Sequence, residues 1–281
     1  MGKDFHQLFF EQRDRIFIDI AYSGCGSGCK YCYVKTAAQQ QDLASYDDLE
    51  KLCDYVTGIV SFSYRIVSFC PHTEPLKSWQ SMNRVLFIIR RLQSLRCCFQ
   101  ISTKEKIPNF FWEELRHIAD ASPIFINVSV PFLNCAEVEP DAGVLTDRIK
   151  NIEEASRYPN IYCGLYIKPF HKELLQEVSQ YIELINVAHP DYICVGVFFT
   201  QKDNNPCASL YSPDIASNLI SKQEQDIALF VSQLREQVSP TVVFSSVCAI
   251  SFFLKKECTI KLAQFSPQMC LGGICPGGKH G

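Results

Sequence analysis

Cys25, Cys29 and Cys32 stand in Ser23-Gly24-Cys25-Gly26-Ser27-Gly28-Cys29-Lys30-Tyr31-Cys32-Tyr33, a C-x3-C-x2-C spacing with an aromatic on either side of the last cysteine. Three thiolates can hold three corners of a 4Fe–4S cube and leave the fourth iron open, because cysteine thiolates are the usual protein ligands of such clusters. Three interleaved glycines let the backbone turn tightly around a cofactor, since glycine adopts positive φ without steric penalty. A zinc site normally takes four ligands, often as two pairs. The nearest further ligands are His6 and Cys53, and Cys53 falls inside a predicted helix. A disulfide framework belongs to short secreted chains, unlike these 281 residues.

This motif resembles the signature of the radical S-adenosylmethionine (SAM) enzymes, and Tyr31 before the third cysteine strengthens the match. The resemblance implies a 4Fe–4S cluster on Cys25, Cys29 and Cys32, with SAM on the open iron and Tyr31 near the adenine. It also implies an electron donor such as flavodoxin or ferredoxin.

The elements that must position these residues alternate. Candidate strands are 16–22, 65–69, 98–102, 124–130, 161–167, 192–199 and 242–246. Candidate helices are 46–60, 79–95, 108–121, 145–157, 172–188 and 222–237. Strand-then-helix alternation predicts βαβ units and a parallel sheet. Mostly apolar strands agree with a sheet covered on both faces, and Pro108 suits the first position of a helix. About six βα units predict an α/β fold, a partial or full parallel βα barrel. Residues 1–240 are expected to form it, with 241–281 as a C-terminal extension. The cysteine motif follows the first strand, and βα barrels place chemistry at the C-terminal ends of their strands. The polar segment 201–218, with Pro206 and Pro213, is expected to be a long loop on that face.

Further strand ends carry a narrower resemblance. The order is Ser68-Phe69-Cys70-Pro71-His72-Thr73-Glu74-Pro75, Gln100-Ile101-Ser102-Thr103-Lys104, Asn127-Val128-Ser129-Val130-Pro131, Glu139-Pro140-Asp141-Ala142 and Thr146-Asp147-Arg148-Ile149. It is similar to the spore photoproduct lyase-like branch of the radical SAM superfamily over residues 15–170. Two departures stand out: Glu74 sits where that branch has Asp, and Asp147 sits where a Glu precedes the Arg. The resemblance implies Lys104, Ser129 and Arg148 as polar contacts of SAM, an Arg being suited to bidentate carboxylate recognition. It also implies Cys70 as hydrogen-atom donor to a substrate radical. Each residue has a plainer reading. Lys104 could be solvated, and Ser129 could pack in the sheet. Arg148 could pair with Asp147, Glu153 or Glu154 on its own helix. Cys70 could be a buried thiol, and His72 a solvated loop residue.

Near the C-terminus, Cys248, Cys258, Cys270 and Cys275 run C-x9-C-x11-C-x4-C. Four thiols could complete an auxiliary cluster or a zinc site. The rival readings are incidental thiols in a tail, or a redox-active Cys270/Cys275 pair.

Composition bounds the rest. Hydrophobic residues make up 47% and charged residues 20%, as in a well-buried globule. Among 15 cysteines, Cys98, Cys163 and Cys194 lie in apolar runs and are expected as core thiols, which implies a reducing, cytoplasmic setting. The N-terminus has no signal-peptide pattern, and no apolar run is long enough for a membrane span. A net charge of −3 gives no support to nucleic-acid binding and leaves a local basic patch open. The substrate, a small molecule or a modified macromolecule, is not legible. The rival functions are a spore photoproduct lyase-like nucleic-acid repair lyase, supported by Cys70, and a non-catalytic Fe–S or zinc protein.

Overall fold

A computed structural model describes residues 4–12, 15–32, 34, 39–59, 66–196 and 213–255, and the side chains of all of these except 12, 59 and 213–224. The chain forms two compact units. The first holds residues 1–128 and 134–163, the second 129–133 and 164–281.

In the first unit, β1 (Phe9–Gln12) pairs antiparallel with β2 (Arg15–Ile18), which pairs in parallel with β3 (Ile66–Phe69). Strand β4 (Cys98–Thr103) joins β3 in parallel, and β5 (Ile124–Ser129) joins β4. Strand β1 was not foreseen. Four residues, Phe-Phe-Glu-Gln, carry no alternation and gain strand geometry only by pairing.

Helices α1 (Tyr46–Ile59), α2 (Trp79–Leu92), α3 (Asn109–Ala119), the single turn α4 (Cys135–Val138) and α5 (Leu145–Ala155) lie between these strands or after β5. Their apolar stripes explain them. In α1, Leu49, Leu52, Cys53 and Val56 are buried at helical spacing. Helix α2 starts at Ser78, which exchanges reciprocal side-chain bonds with Ser81, a pattern that satisfies two otherwise unpaired N–H groups. Pro108 is the N-cap of α3 rather than its first residue, with ψ at 156°, because its fixed φ suits the extended step into the helix.

Adjacent residues of the parallel registers share a face. One face is apolar through Ile16, Val67, Phe99 and Ile124. The other is unexpectedly polar for buried strands. There Arg15 donates to the Gln100 Oε1 at 2.7 Å, Ser68 donates to the same oxygen at 2.8 Å, and Asn127 donates to Ser102 at 3.0 Å.

Strand β6 (Ile161–Ile167) starts in the first unit and continues in the second. There it pairs in parallel with β7 (Tyr192–Val195), and β7 pairs with β8 (Thr241–Val243). Helix α6 (Val178–Ala188) begins later than expected, after a separate 3-10 turn at Lys172–Leu175. Helix α7 (Pro213–Gln237) overrides the end of the expected loop. Proline is well tolerated in a first helical turn. Residues 197–212 lie outside the described part. Helix α8 (Ser246–Leu254) takes over where a strand to 246 was expected. Its short apolar run is ambiguous by periodicity, and Ser245 settles it by accepting from the Val247 N–H at 3.4 Å.

Both units thus show the predicted α/β class with parallel βα repeats. Cys98, Cys163 and Cys194 are core residues, each at most 4% exposed. Among the described residues no helix is long and apolar enough to cross a membrane.

Candidate functional site

The cysteine loop leaves the C-terminal end of β2, where parallel βα folds present their chemistry. Gly24, Gly26 and Gly28 all have positive φ, at 77°, 77° and 58°. At Gly24 a Cβ would collide with the main chain of Gln40, and at Gly28 it would stand 2.6 Å from the Asp141 carboxylate. The loop is tied on both sides. The Cys25 N–H donates to the Gln39 carbonyl at 3.1 Å, and the Lys30 N–H to the Val138 carbonyl at 2.9 Å. All three thiols are half-buried. Burial pushes Cys29 up to about 11, against the lowering pull of Lys104. Cys25 is raised by burial and by Glu74.

Each later strand end contributes a neighbour. After β3, Glu74 is buried and accepts from the Thr103 hydroxyl at 2.6 Å and the Lys104 N–H at 3.0 Å. Burial, then Glu105, holds its carboxyl above the usual range. After β4 comes Lys104 itself. Its ammonium lies 3.9 Å from the Glu139 carboxylate and 5.9 Å from the Tyr31 ring centre. Burial alone would lower the Lys104 value, but Cys29, Glu139 and Glu74 outweigh it and the group is raised. After β5, Glu139 takes Arg148 Nη1 at 2.5 Å and the Tyr31 hydroxyl on its other oxygen. Arg148 Nε donates to the Gly143 carbonyl at 2.7 Å.

Three expected SAM contacts therefore converge, and they do so on Glu139. Tyr31 comes from the cysteine loop, Lys104 from a strand end and Arg148 from a helix. The partner of Arg148 is Glu139, not Asp147, Glu153 or Glu154. Glu139 was visible in the motif order, but only tertiary contact shows what it holds. Ser129 closes β5, is buried, and belongs to the second unit.

Cys70 is 6% exposed and has a φ of 54°, unusual for a residue other than glycine. Burial and the nearby Asp19 raise its thiol, against opposing hydrogen bonds to Thr73 and Ile20. His72 is not merely a solvated loop residue. Its Nδ1 lies 2.8 Å from the carboxylate of buried Asp19, and that bond raises it, partly offset by burial.

Among the described residues no three His, Cys, Asp or Glu side chains gather as ligands of one metal ion. A cubane does not require that, because each thiolate binds a different iron. A glycine-wrapped loop carrying three thiols beside a half-buried lysine fits such a cluster. Of the C-terminal thiols, Cys248 is buried in α8. Cys258, Cys270 and Cys275 lie outside the described residues.

No family model and no curated protein matches this chain by sequence. Solved structures do resemble it. Streptococcus suis SuiB bound to precursor peptide SuiA is 13% identical with a TM-score of 0.54, and the match covers 86% of this chain and 51% of SuiB. A spore photoproduct lyase mutant with bound AdoMet and dinucleoside spore photoproduct is 12% identical with a TM-score of 0.55, covering 84% of this chain and 78% of the lyase. The chain spans about half the length of SuiB. The likeness shows the fold alone, a parallel βα architecture.

Proposed function

We propose that this chain is a radical SAM enzyme of the spore photoproduct lyase-like branch. One observation carries the reading: the three-thiol glycine loop leaves a strand's C-terminal end and lies in a partly buried network in which Tyr31 and Lys104 meet the buried Glu139. Cys25, Cys29 and Cys32 would hold a 4Fe–4S cluster. When bound and reduced, such a cluster supplies the electron that cleaves SAM into methionine and a 5′-deoxyadenosyl radical. The chain's own residues bind and orient. Lys104 offers a cation to the SAM carboxylate, and Tyr31, held through its hydroxyl, offers a ring to the adenine. Ser129 offers a hydroxyl. Arg148 acts through Glu139, keeping that carboxylate in place for Tyr31 and Lys104. An electron donor of the flavodoxin or ferredoxin class serves it, and the substrate is a small molecule or a modified macromolecule.

Anaerobic reconstitution of the purified chain should bind about four irons per cluster site. Reduction with dithionite in the presence of SAM should release 5′-deoxyadenosine. Iron uptake without that product would instead support a non-catalytic Fe–S protein. A Cys25→Ala/Cys29→Ala/Cys32→Ala variant that keeps the same iron and absorbance would remove the assignment.

A repair-lyase reading has one specific observation behind it: Cys70 directly follows β3, at the same strand-end side that carries the cysteine loop. The reduced protein with SAM and dinucleoside spore photoproduct tests it. No lesion reversal, or equal reversal by Cys70→Ala, removes Cys70 as the hydrogen donor.

A further inference from the structure

We propose that Lys77 is a positioning residue for the cysteine loop, a strap that lies across Gly26 and holds the loop closed against the neighbouring cavity. The proposal deepens the cluster reading above and rests on it. The main chain at Gly26 has no side chain of its own to cover it. The Lys77 Cε and Cγ stand 3.4 and 3.5 Å from the place a Cβ would occupy there. Lysine is suited to this, because its four-carbon stem packs on a surface while its charged tip reaches polar partners.

Both ends of the strap are anchored. At the root, the next residue is Ser78, the N-cap that is locked to Ser81. At the tip, the ammonium meets the Glu105 carboxylate at 2.8 Å and donates to the Asp141 carbonyl. Glu105 is fixed in turn. Its N–H donates to Thr103 Oγ1 at 3.0 Å, and its carbonyl accepts from Asn151 at 2.8 Å. The Asp141 side chain sits against Gly28. Lys77 thereby links the β3–α2 and β4–α3 connections to Asp141, with the cysteine loop beneath.

On the far side lies a cavity of about 770 Å³, lined by Gly26, Gln40, Gln41, Lys77, Ser78 and Asp141 among others. Lys77 and Gly26 share its wall. An exposed surface ion pair contributes little. Here, however, the two side chains are 25% and 16% exposed, and a main-chain carbonyl completes the site. Solvent access and hydrogen bonding around thiolates set the stability and potential of a cluster. Opening this strap would admit solvent to the peptide that carries Cys25 and Cys29.

Hydrogen–deuterium exchange on the unloaded chain tests the strap without any cluster. In Lys77→Ala, amides of residues 22–32 should exchange about tenfold faster, as expected for losing one charge-assisted hydrogen bond. Lys77→Met, which keeps the stem, should fall between wild type and alanine. Glu105→Gln should move the same amides in the same direction, which keeps the test sound if Lys77→Ala fails to fold. After anaerobic reconstitution, the cluster absorbance of the variants should bleach faster in air. Wild-type exchange rates in folded Lys77→Ala, or in Glu105→Gln, would overturn the proposal. A wild-type chain that takes up no iron would instead sink the cluster reading, while the exchange data would still decide the strap.

Discussion

Arg148 and Glu139 meet at 2.5 Å, and neither side chain has any solvent exposure. The pair ties the start of α5 to the segment after α4, and through the Tyr31 hydroxyl to the cysteine loop. Removing one member of a buried pair strands a charge in a low-dielectric interior. We predict that Glu139→Ala lowers the unfolding free energy by about 3–5 kcal/mol. The apolar double variant Glu139→Leu/Arg148→Met should recover much of that loss. Urea titration measures both, and an unchanged midpoint in Glu139→Ala would show that the pair carries no stability.

The glycines of the cysteine loop should rank by what each faces. A side chain in the left-handed region costs roughly 1–2 kcal/mol at any of them. At Gly24 the obstruction is the Gln40 main chain, which cannot step aside. At Gly28 it is a carboxylate at 2.6 Å, and at Gly26 only the Lys77 stem at a near-ordinary contact distance of 3.4 Å. Thermal melts should therefore place Gly24→Ala lowest, then Gly28→Ala, then Gly26→Ala. The reverse order would contradict the packing.

Lys104 should affect SAM affinity directly. Its cation faces Cys29, Glu139 and Glu74, so Lys104→Ala in the reconstituted protein should weaken SAM binding by about 1.5–3 kcal/mol, the range for a charge-assisted bond. Equilibrium dialysis under anaerobic conditions reads this. Unchanged affinity with intact iron content would take Lys104 out of the site.

His72 should make part of the stability pH-dependent. Its hydrogen bond to Asp19 raises its folded value above the ordinary one near 6.5, so the folded chain binds the proton more tightly than the unfolded chain. That contribution is fully present below about pH 6.5 and is lost as pH rises through the folded value. His72→Gln should therefore destabilise more at acidic than at alkaline pH. With 47% of the His72 side chain exposed, the difference is modest. A gap that widens toward alkaline pH would contradict the assignment, and the imidazole signals in NMR would locate the titration itself.

The residues with rare types at rigid spacing could be nominated without a structure. The C-x3-C-x2-C run reads as a cluster motif because ligand count and spacing are local properties of the chain. The strand–helix alternation was legible for a similar reason: hydrophobic periodicity is local, and it placed α1, α2, α3 and α5 close to their observed spans. Elements that depend on a partner were not legible. Strand β1 exists through its pairing with β2, and α8 is an apolar run whose state its cap decides. The same divide runs through the site. Lys104 and Arg148 could be nominated by type and order, yet only tertiary contact assigns both to Glu139, 35 and 9 residues away in sequence. Charge pairing across loops, the Asp19–His72 contact and the Lys77 strap have no sequence period, because they are set by which strand ends the parallel sheet brings side by side.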